Sequence, residues 1–560
     1  MVPAPTLGAV VDVGMWFVAF YAAKVVITAF FVSPMRKLPG PWYTNLTGVE
    51  RKYYAWRGLE HHYFLRMFAK HGPLVRVGPD KVGVGEVAMF RKMMGSYDLP
   101  KAQMYENFAI VGENIFTTRN TEFNKIRRRQ IGPAFTAGYV RQMAPLLQTD
   151  GLDEVCRLFD AQIAAAEKQQ QSAAAGKARG TTNTYYAFTM MATDIISSLA
   201  YGRRFGASDM LVRNVEAPPP PPPSQEQMAQ KEKPQEPAPQ SEGYEDGETG
   251  QSVLESMIAT MILMRLVAEI PLIHRVPRWI LPSQLKMLYG VRDKFLAFST
   301  RTATRYRERL TKGSEKSQAA AGARNDILSA YILAHDPETG ATMSDQDVGS
   351  ENTVLLAAGT DTTSNVMVNV VRYLLWNPHM MARVQRELRD VLPEREQVLT
   401  DLTEAPYLAA VIHETMRLRA STSGVWPRDA PRHAGITLGG HFIPPGTVLC
   451  GSIGGVHLNP ETWERPGEFD PERFLGPEGE ARKKNLVVFS AGVRICPGRH
   501  LAMLELTMVL SAVLRRYEFA PIDPPPAVAD YFTDVDEICS ITTGFRNPDR
   551  DCLVYVSRSD

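Results

Sequence analysis

One cysteine-bearing loop constrains this chain more than any other feature. The stretch Phe489-Ser490-Ala491-Gly492-Val493-Arg494-Ile495-Cys496-Pro497-Gly498 sets Cys496 in a glycine-flanked loop beside an arginine, just before an apolar helix starting near Leu501. A thiolate needs neighbouring cations or backbone N–H groups to be stable. The alternative is a buried structural cysteine ahead of a helix. The other cysteines are Cys156, Cys450, Cys539 and Cys552, an odd total of five with irregular spacing and no CxxC pair. That usage fits a reducing compartment, where an isolated cysteine is more often catalytic or a metal ligand than half of a disulfide.

At 560 residues the length alone suggests several domains, but the motif spacing argues for one large catalytic domain. A net charge of +1 gives no bias toward nucleic acid, and none is expected as a partner. The N-terminus differs from the rest. Val13 to Val32 is almost wholly apolar, with Lys24 the one charge inside and Asp12 at its edge. Roughly 20 such residues span the hydrocarbon core of a bilayer. Lys24 can snorkel, and Arg36 and Lys37 follow at once, which leaves the downstream mass in the cytoplasm. A cleaved secretory signal is the rival reading, against which stand the length of the run and the lack of a basic segment before it. Residues 1–37 are therefore expected to be a membrane anchor with its basic stop, and 38–560 the catalytic domain. Asn45-Leu46-Thr47 is a glycosylation sequon that this topology would leave unmodified.

Leu38-Pro39-Gly40-Pro41 sets a stiff turn after the anchor. Gly78 to Val87 has the glycines and alternating valines of a hairpin. Short strands are expected only there and near Gly435–Val448, with helix elsewhere: mainly α with a small β part. Residues 216–250 hold the run Pro218–Pro223, with Pro234, Pro237 and Pro239, few apolar residues and many Gln, Glu and Lys. Such a composition buries too little surface to fold, so a solvated insertion is expected, with a docking site for a partner as the alternative. Ala164–Gly180 is expected to be a second surface extension.

Ser344 to Trp376 is predicted as one long helix, opened by a capping box of Ser344 and Asp347 and stopped by Asn377-Pro378. Its middle, Ala358-Gly359-Thr360-Asp361-Thr362-Thr363, is unfavourable for a helix interior, and such local violations mark functional sites. The alternative is a polar patch packed on another helix. Glu414 and Arg417 share a face of a helix over Tyr407–Leu418, and Phe469-Asp470-Pro471-Glu472-Arg473-Phe474 follows downstream.

Phe489, Gly492, Arg494, Cys496 and Gly498 resemble the haem-binding signature of the cytochrome P450 family. The distal-helix, ExxR and Pro-Glu-Arg-Phe blocks follow the family's order from the hinge near Leu38 to the C-terminus. The resemblance implies the cytochrome P450 fold behind an N-terminal transmembrane helix. It implies Cys496 as the axial ligand of haem b, a haem-thiolate arrangement that favours O–O cleavage. It gives Gly359 as a notch for dioxygen, with Thr362 and Asp361 as the catalytic pair delivering protons. Glu414, Arg417 and Arg473 become a structural triad locking the cysteine loop. Arg494, Arg428 and Arg128 become the cations for the haem propionates. For Arg128 the family pattern has Trp or His four residues earlier, where this chain has Asn124, and the Arg127-Arg128-Arg129 triplet also fits a solvated basic face. Substrate-pocket candidates are Met104, Tyr105, Phe108, Val111, Val354, Leu355, Ala358, Val425 and Trp426.

By the anchor, hinge and motif style the chain resembles a microsomal, fungal-type member. That implies a single-pass protein of the endoplasmic reticulum membrane whose catalytic domain faces the cytosol. With no flavin or nicotinamide fingerprint, its electrons come from NADPH through a separate cytochrome P450 reductase, with cytochrome b5 as an optional second donor. Arg482, Lys483, Lys484, Arg499 and His500 are candidates for the reductase-facing surface. The substrate is expected to be a hydrophobic small molecule of secondary metabolism, oxidised by one oxygen atom from O2. The alternatives are a haem-thiolate isomerase or dehydratase needing no external electrons, and a non-enzymatic haem sensor or carrier.

Overall fold

In a computed structural model, residues 7–170, 179–217, 250–270, 273, 276–312, 325–522, 537–539 and 541–559 are described. Most of the expected insertion at 216–250 lies outside these residues, as does much of Ala164–Gly180.

Two helices run through the centre of the molecule. Thr184–Tyr201 buries every residue from Met191 to Tyr201, and Asp345–Trp376 buries every residue from Thr363 to Leu374. A helix apolar or small on all sides belongs in the middle of a core. The two pack on each other, and Ser283–Lys312, Ile327–Leu333 and Arg499–Arg516 close around them. The long helix starts as its sequence dictates. The Ser344 hydroxyl accepts from the Asp347 N–H at 3.1 Å, the Asp347 carboxylate answers the Ser344 N–H at 3.1 Å, and Asn377 ends the helix before Pro378.

The β structure is minor but larger than expected. A four-stranded sheet runs in the order Leu74–Gly78, Lys81–Val84, Val448–Ser452, Val425–Asp429. Its first two strands are the expected hairpin, shifted toward the N-terminus: a helix already begins at Val87. The expected strands near Gly435–Val448 form the hairpin Ile436–Leu438 with His441–Ile443. Gly180–Asn183, Leu553–Arg558 and Tyr517–Pro521 form a further sheet, and Glu537–Cys539 pairs with Thr543–Phe545. These strands are three to six residues long. Partners distant in sequence decide them, and local pattern is silent.

At the N-terminus, Met15–Val32 is long and apolar enough to cross a membrane, and Trp16, Phe17, Phe20 and Phe31 are each about two-thirds exposed or more. The segment after it is docked on the globule. Met35 and Leu38 are buried among Leu74, Val82 and Leu449, and the Arg76 N–H donates to Pro39 O at 2.7 Å. Gly40 has φ +149°, and a Cβ there would sit 2.7 Å from Arg76 O.

Candidate active site

The cysteine loop is held from three directions. The Cys496 N–H donates to Phe489 O at 2.8 Å, closing the loop on itself, while the Phe489 ring packs on the helical core. Ser490 and Gly492 both have positive φ. At Gly492 a Cβ would meet Gly95 Cα at 2.6 Å and Met94 O at 2.8 Å, so only glycine lets the loop approach the preceding helix end. Cys496 is half-buried. Burial pushes its thiol pKa up, and the Gly498 N–H and the Arg128 and Arg499 cations pull it down.

The arginine triplet resolves by helix geometry, since consecutive residues point about 100° apart. Arg127 turns to Asp347 (2.8 Å) and Glu351 (3.1 Å). Arg129 turns to Asp336 (2.5 Å) and Glu338 (3.2 Å). Arg128 alone turns to the cysteine loop and donates to Ile495 O at 3.0 Å. Asn124, in place of Trp or His, is buried with its amide 3.4 Å from Ile115 O.

Arg494 and Arg428 are buried, and Arg494 lies 4.9 Å over the Tyr97 ring. Among the described residues, all three guanidinium nitrogens of Arg494, Nη1 of Arg428 and Nε of Arg128 have no hydrogen-bond partner. Burial and the neighbouring Arg428 cation push the Arg494 pKa down to about 10, and Arg428 is lowered by burial. Buried donors are nearly always paired, and three mutually repelling guanidiniums call for an anion. The two carboxylates of a haem, held beside Cys496, match that donor set. Sequence reasoning missed a fourth cation. Lys101 is buried, and Arg428, Arg494 and Arg128 all lower its pKa after burial itself. Its only sequence neighbours are Pro100 and Ala102, so no pattern marked it.

On the long helix, Ala358 is exposed and Asp361 and Thr362 are partly so, just before the fully buried run from Thr363 to Leu374. This face borders open space. The Thr362 hydroxyl donates to Ala358 O at 2.8 Å, and the Thr362 carbonyl accepts from the Ser421 hydroxyl at 2.6 Å. Burial pushes the Asp361 pKa up to about 6, against a hydrogen bond from Thr542. At Gly359 a Cβ would meet Ile196 Cδ1 at 2.6 Å, so its bare face lets the helix pack closely on the Thr184–Tyr201 helix.

The triad is fully satisfied. Glu414 accepts from Arg417 Nε (2.7 Å) and Nη2 (2.8 Å), from the Asp470 N–H (2.9 Å) and from Arg473 Nε (3.3 Å). Arg417 also donates to the carbonyls of His457, Pro466 and Glu468 at 3.0, 2.7 and 3.0 Å. His457 Nε2 in turn accepts the Val487 N–H at 2.9 Å, two residues before Phe489.

Of the pocket candidates, Tyr105, Phe108 and Val111 form a buried cluster with Phe116, Val354 and Trp426. Met104 is 39% exposed, Leu355 packs on the main helical core, and Val425 packs on the Tyr63–Phe64 cluster. These three are not part of the aromatic wall, because neighbours on a helix or strand face different ways. On the candidate reductase face, Arg482 pairs with Glu478 at 3.0 Å and Lys483 with Glu480 at 2.5 Å, which offsets part of its charge.

The family model described as Cytochrome P450 matches residues 34–530. The chain is 27% identical over 543 residues to cytochrome P450 monooxygenase helB1 of Aspergillus fumigatus, covering 95% of this chain and 83% of that one. It is 24% identical to cytochrome P450 monooxygenase BipB of Cochliobolus sativus, covering 90% of each. Among solved structures it resembles the cytochrome P450DA heme domain, with a TM-score of 0.65, 18% identity, and coverage of 91% of this chain and 95% of that one. That likeness concerns the fold.

Proposed function

The chain belongs to the cytochrome P450 family, and on that premise we propose that Cys496 is the thiolate ligand of its haem b in a membrane-anchored monooxygenase acting on a hydrophobic small molecule. As a family member it is an oxidoreductase that uses haem with NADPH-derived electrons supplied through a reductase. The observation that carries the site assignment is the group of unpaired guanidinium nitrogens on Arg494, Arg428 and Arg128 around the cysteine loop.

Haem, when bound, supplies the activation of O2 by which one oxygen atom enters the substrate and the other leaves as water, consuming two electrons and two protons. The protein's part is positioning and proton supply. Arg494, Arg428 and Arg128 would hold the propionates, and Gly492 lets the loop approach closely enough to present Cys496. Glu414, Arg417 and Arg473 fix the segment that leads into that loop. Asp361, titrating near 6, can both take and give a proton close to neutral pH. Thr362, parked on the Ala358 carbonyl, can swing its hydroxyl into the open space. Tyr105, Phe108, Phe116 and Trp426 form an apolar cluster of the kind that lines the site of a hydrophobic ligand.

The N-terminal helix supports a membrane anchor over residues 1–37, with 38–560 as the haem domain on the cytosolic side of the endoplasmic reticulum. The partners fitting this placement are NADPH-cytochrome P450 reductase, with cytochrome b5 optional. The relatives helB1 and BipB are fungal monooxygenases, which supports a role in secondary metabolism.

The test is the carbon-monoxide difference spectrum of the reduced, membrane-bound protein beside Cys496→His. A strongly red-shifted Soret band that the variant loses establishes thiolate ligation. Folded, haem-loaded protein without that band overturns it. Turnover that persists without reductase would instead make the enzyme an isomerase or dehydratase.

A further inference from the structure

Asp361 is the titratable group of the run Ala358–Thr363, and among the described residues no cation pulls on its pKa. Its carboxyl is hydrogen-bonded instead by the hydroxyl of Thr542. Tyr185, on the Thr184–Tyr201 helix, is the titratable group that faces it. Thr542 stands beside the C-terminal hairpin of Glu537–Cys539 and Thr543–Phe545. That hairpin is stitched to the stretch leaving the Pro406–Leu418 helix. The Thr543 N–H donates to Ser421 O at 2.7 Å, and the Thr543 hydroxyl accepts from the Ser423 N–H at 3.1 Å. Arg419 pairs with Glu537 at 2.9 Å, both side chains almost fully buried, and its Nε donates to the Tyr373 hydroxyl of the long helix at 3.2 Å. The Ser421 hydroxyl in turn donates to Thr362 O at 2.6 Å. Ile541, on the other side of Thr542, packs on the Tyr105–Phe108 cluster.

Three consecutive residues therefore reach three parts of the site: Ile541 the apolar cluster, Thr542 the acid, and Thr543 the segment that bears on Thr362. A threonine side chain is stiff at χ1, so the hairpin backbone sets the direction of this hydroxyl. A hydroxyl that donates to a carboxylate favours its charged form, whereas burial favours the neutral one. An acid that never ionises at working pH hands on no proton. We propose that Thr542 is a positioning residue for proton supply: held by the stitched hairpin, its hydroxyl fixes the Asp361 carboxyl beside Thr362 and stabilises its charged form. This rests on the haem-monooxygenase reading above.

The experiment titrates the infrared carbonyl band of protonated Asp361 in full-length, haem-loaded protein, the band being assigned by its loss in Asp361→Asn. Wild type is compared with Thr542→Val, which lacks the hydroxyl, and Thr542→Ser, which keeps it. Hydrogen peroxide released per NADPH consumed, with reductase in excess and no added substrate, is followed over the same pH range. In wild type the band fades at about pH 6. In Thr542→Val it moves to the frequency of an unbonded acid and fades about one to two pH units higher, as for one lost hydrogen bond to a charged group. The inflection in peroxide yield moves with it, and Thr542→Ser behaves as wild type. A band that titrates alike in wild type and Thr542→Val overturns the proposal, as does a peroxide inflection that stays in place while the band moves. A wild-type band already at the frequency of an unbonded acid overturns it without any variant, so the test stands even if Thr542→Val does not fold. Absence of the carbon-monoxide band in wild type would instead sink the haem reading itself.

Discussion

Arg128 donates to the carbonyl of Ile495 at 3.0 Å, one residue before Cys496, while Arg127 and Arg129 on either side of it are engaged by acids. The contact ties the early helix Thr121–Ile131 to the cysteine loop. The same guanidinium keeps its Nε without a partner among the described residues. Arg128→Gln is therefore expected to lose haem, while Arg129→Gln keeps it. Haem content per folded protein, read from the Soret-to-protein absorbance ratio, separates the two. Equal loss in both variants would return the triplet to a general structural role.

Removing one member of the Glu414–Arg417 pair leaves a charge in a site with essentially no solvent exposure. The expected cost is about 3–5 kcal/mol, as for other broken buried pairs. Burial raises the Glu414 pKa, and the Arg417 hydrogen bonds and charge offset only part of that. Glu414→Ala and Arg417→Ala should yield protein without a haem-thiolate spectrum. Arg473→Lys, which keeps a cation but cannot reach both Glu414 and the Arg465 carbonyl, should fold with a lowered midpoint in thermal denaturation. An unchanged midpoint in Glu414→Ala would show that the triad does not lock the loop.

Gly359 gives a packing prediction. A methyl at this position must displace Ile196, whose Cδ1 is 2.6 Å from the ideal Cβ site. Overpacking of this kind costs about 1–3 kcal/mol. Gly359→Ala should lower the unfolding midpoint, and Ile196→Ala combined with it should recover part of the loss. A double variant no more stable than the additive sum would exclude this contact as the cause.

The long helix was legible down to its cap, because the Ser344–Asp347 capping box and the Asn377-Pro378 stop are local chemistry. The triad and the cysteine loop were legible through resemblance to short family blocks, Glu414 to Arg417, Phe469 to Phe474 and Phe489 to Gly498. What escaped was set by contacts distant in sequence. The close packing of Gly359 on Ile196 could not be read locally, because Ile196 lies on another helix. Lys101 carries no local signal, since a lysine's default is the surface and its burial comes from carbonyls fourteen and fifteen residues on. Arg128 could not be told from Arg127 and Arg129 until the helix phase set which acids each would meet. The terminal strands are too short for their pattern to outweigh pairing with distant segments.

Asp361 gives a pH prediction with a definite sign. Burial raises its folded pKa from 3.8 to about 6, so between those values the folded state holds more protons than the unfolded chain. This group's contribution therefore makes stability fall as pH rises from about 4 to 6, and flat above that. Asp361→Asn should remove that component of the slope and leave the enzyme relatively more stable at pH 7. The catalytic consequence runs through the same titration. If Asp361 supplies protons, the share of NADPH ending as product rather than hydrogen peroxide should change across pH 6 in the wild type. In Asp361→Asn the inflection should vanish and peroxide should rise at every pH, with Thr362→Ala giving the larger peroxide yield. Peroxide and product are measured together, with reductase in excess, on any substrate that the enzyme turns over. A wild-type profile without an inflection near pH 6, or one that survives in Asp361→Asn, would assign proton supply to another group.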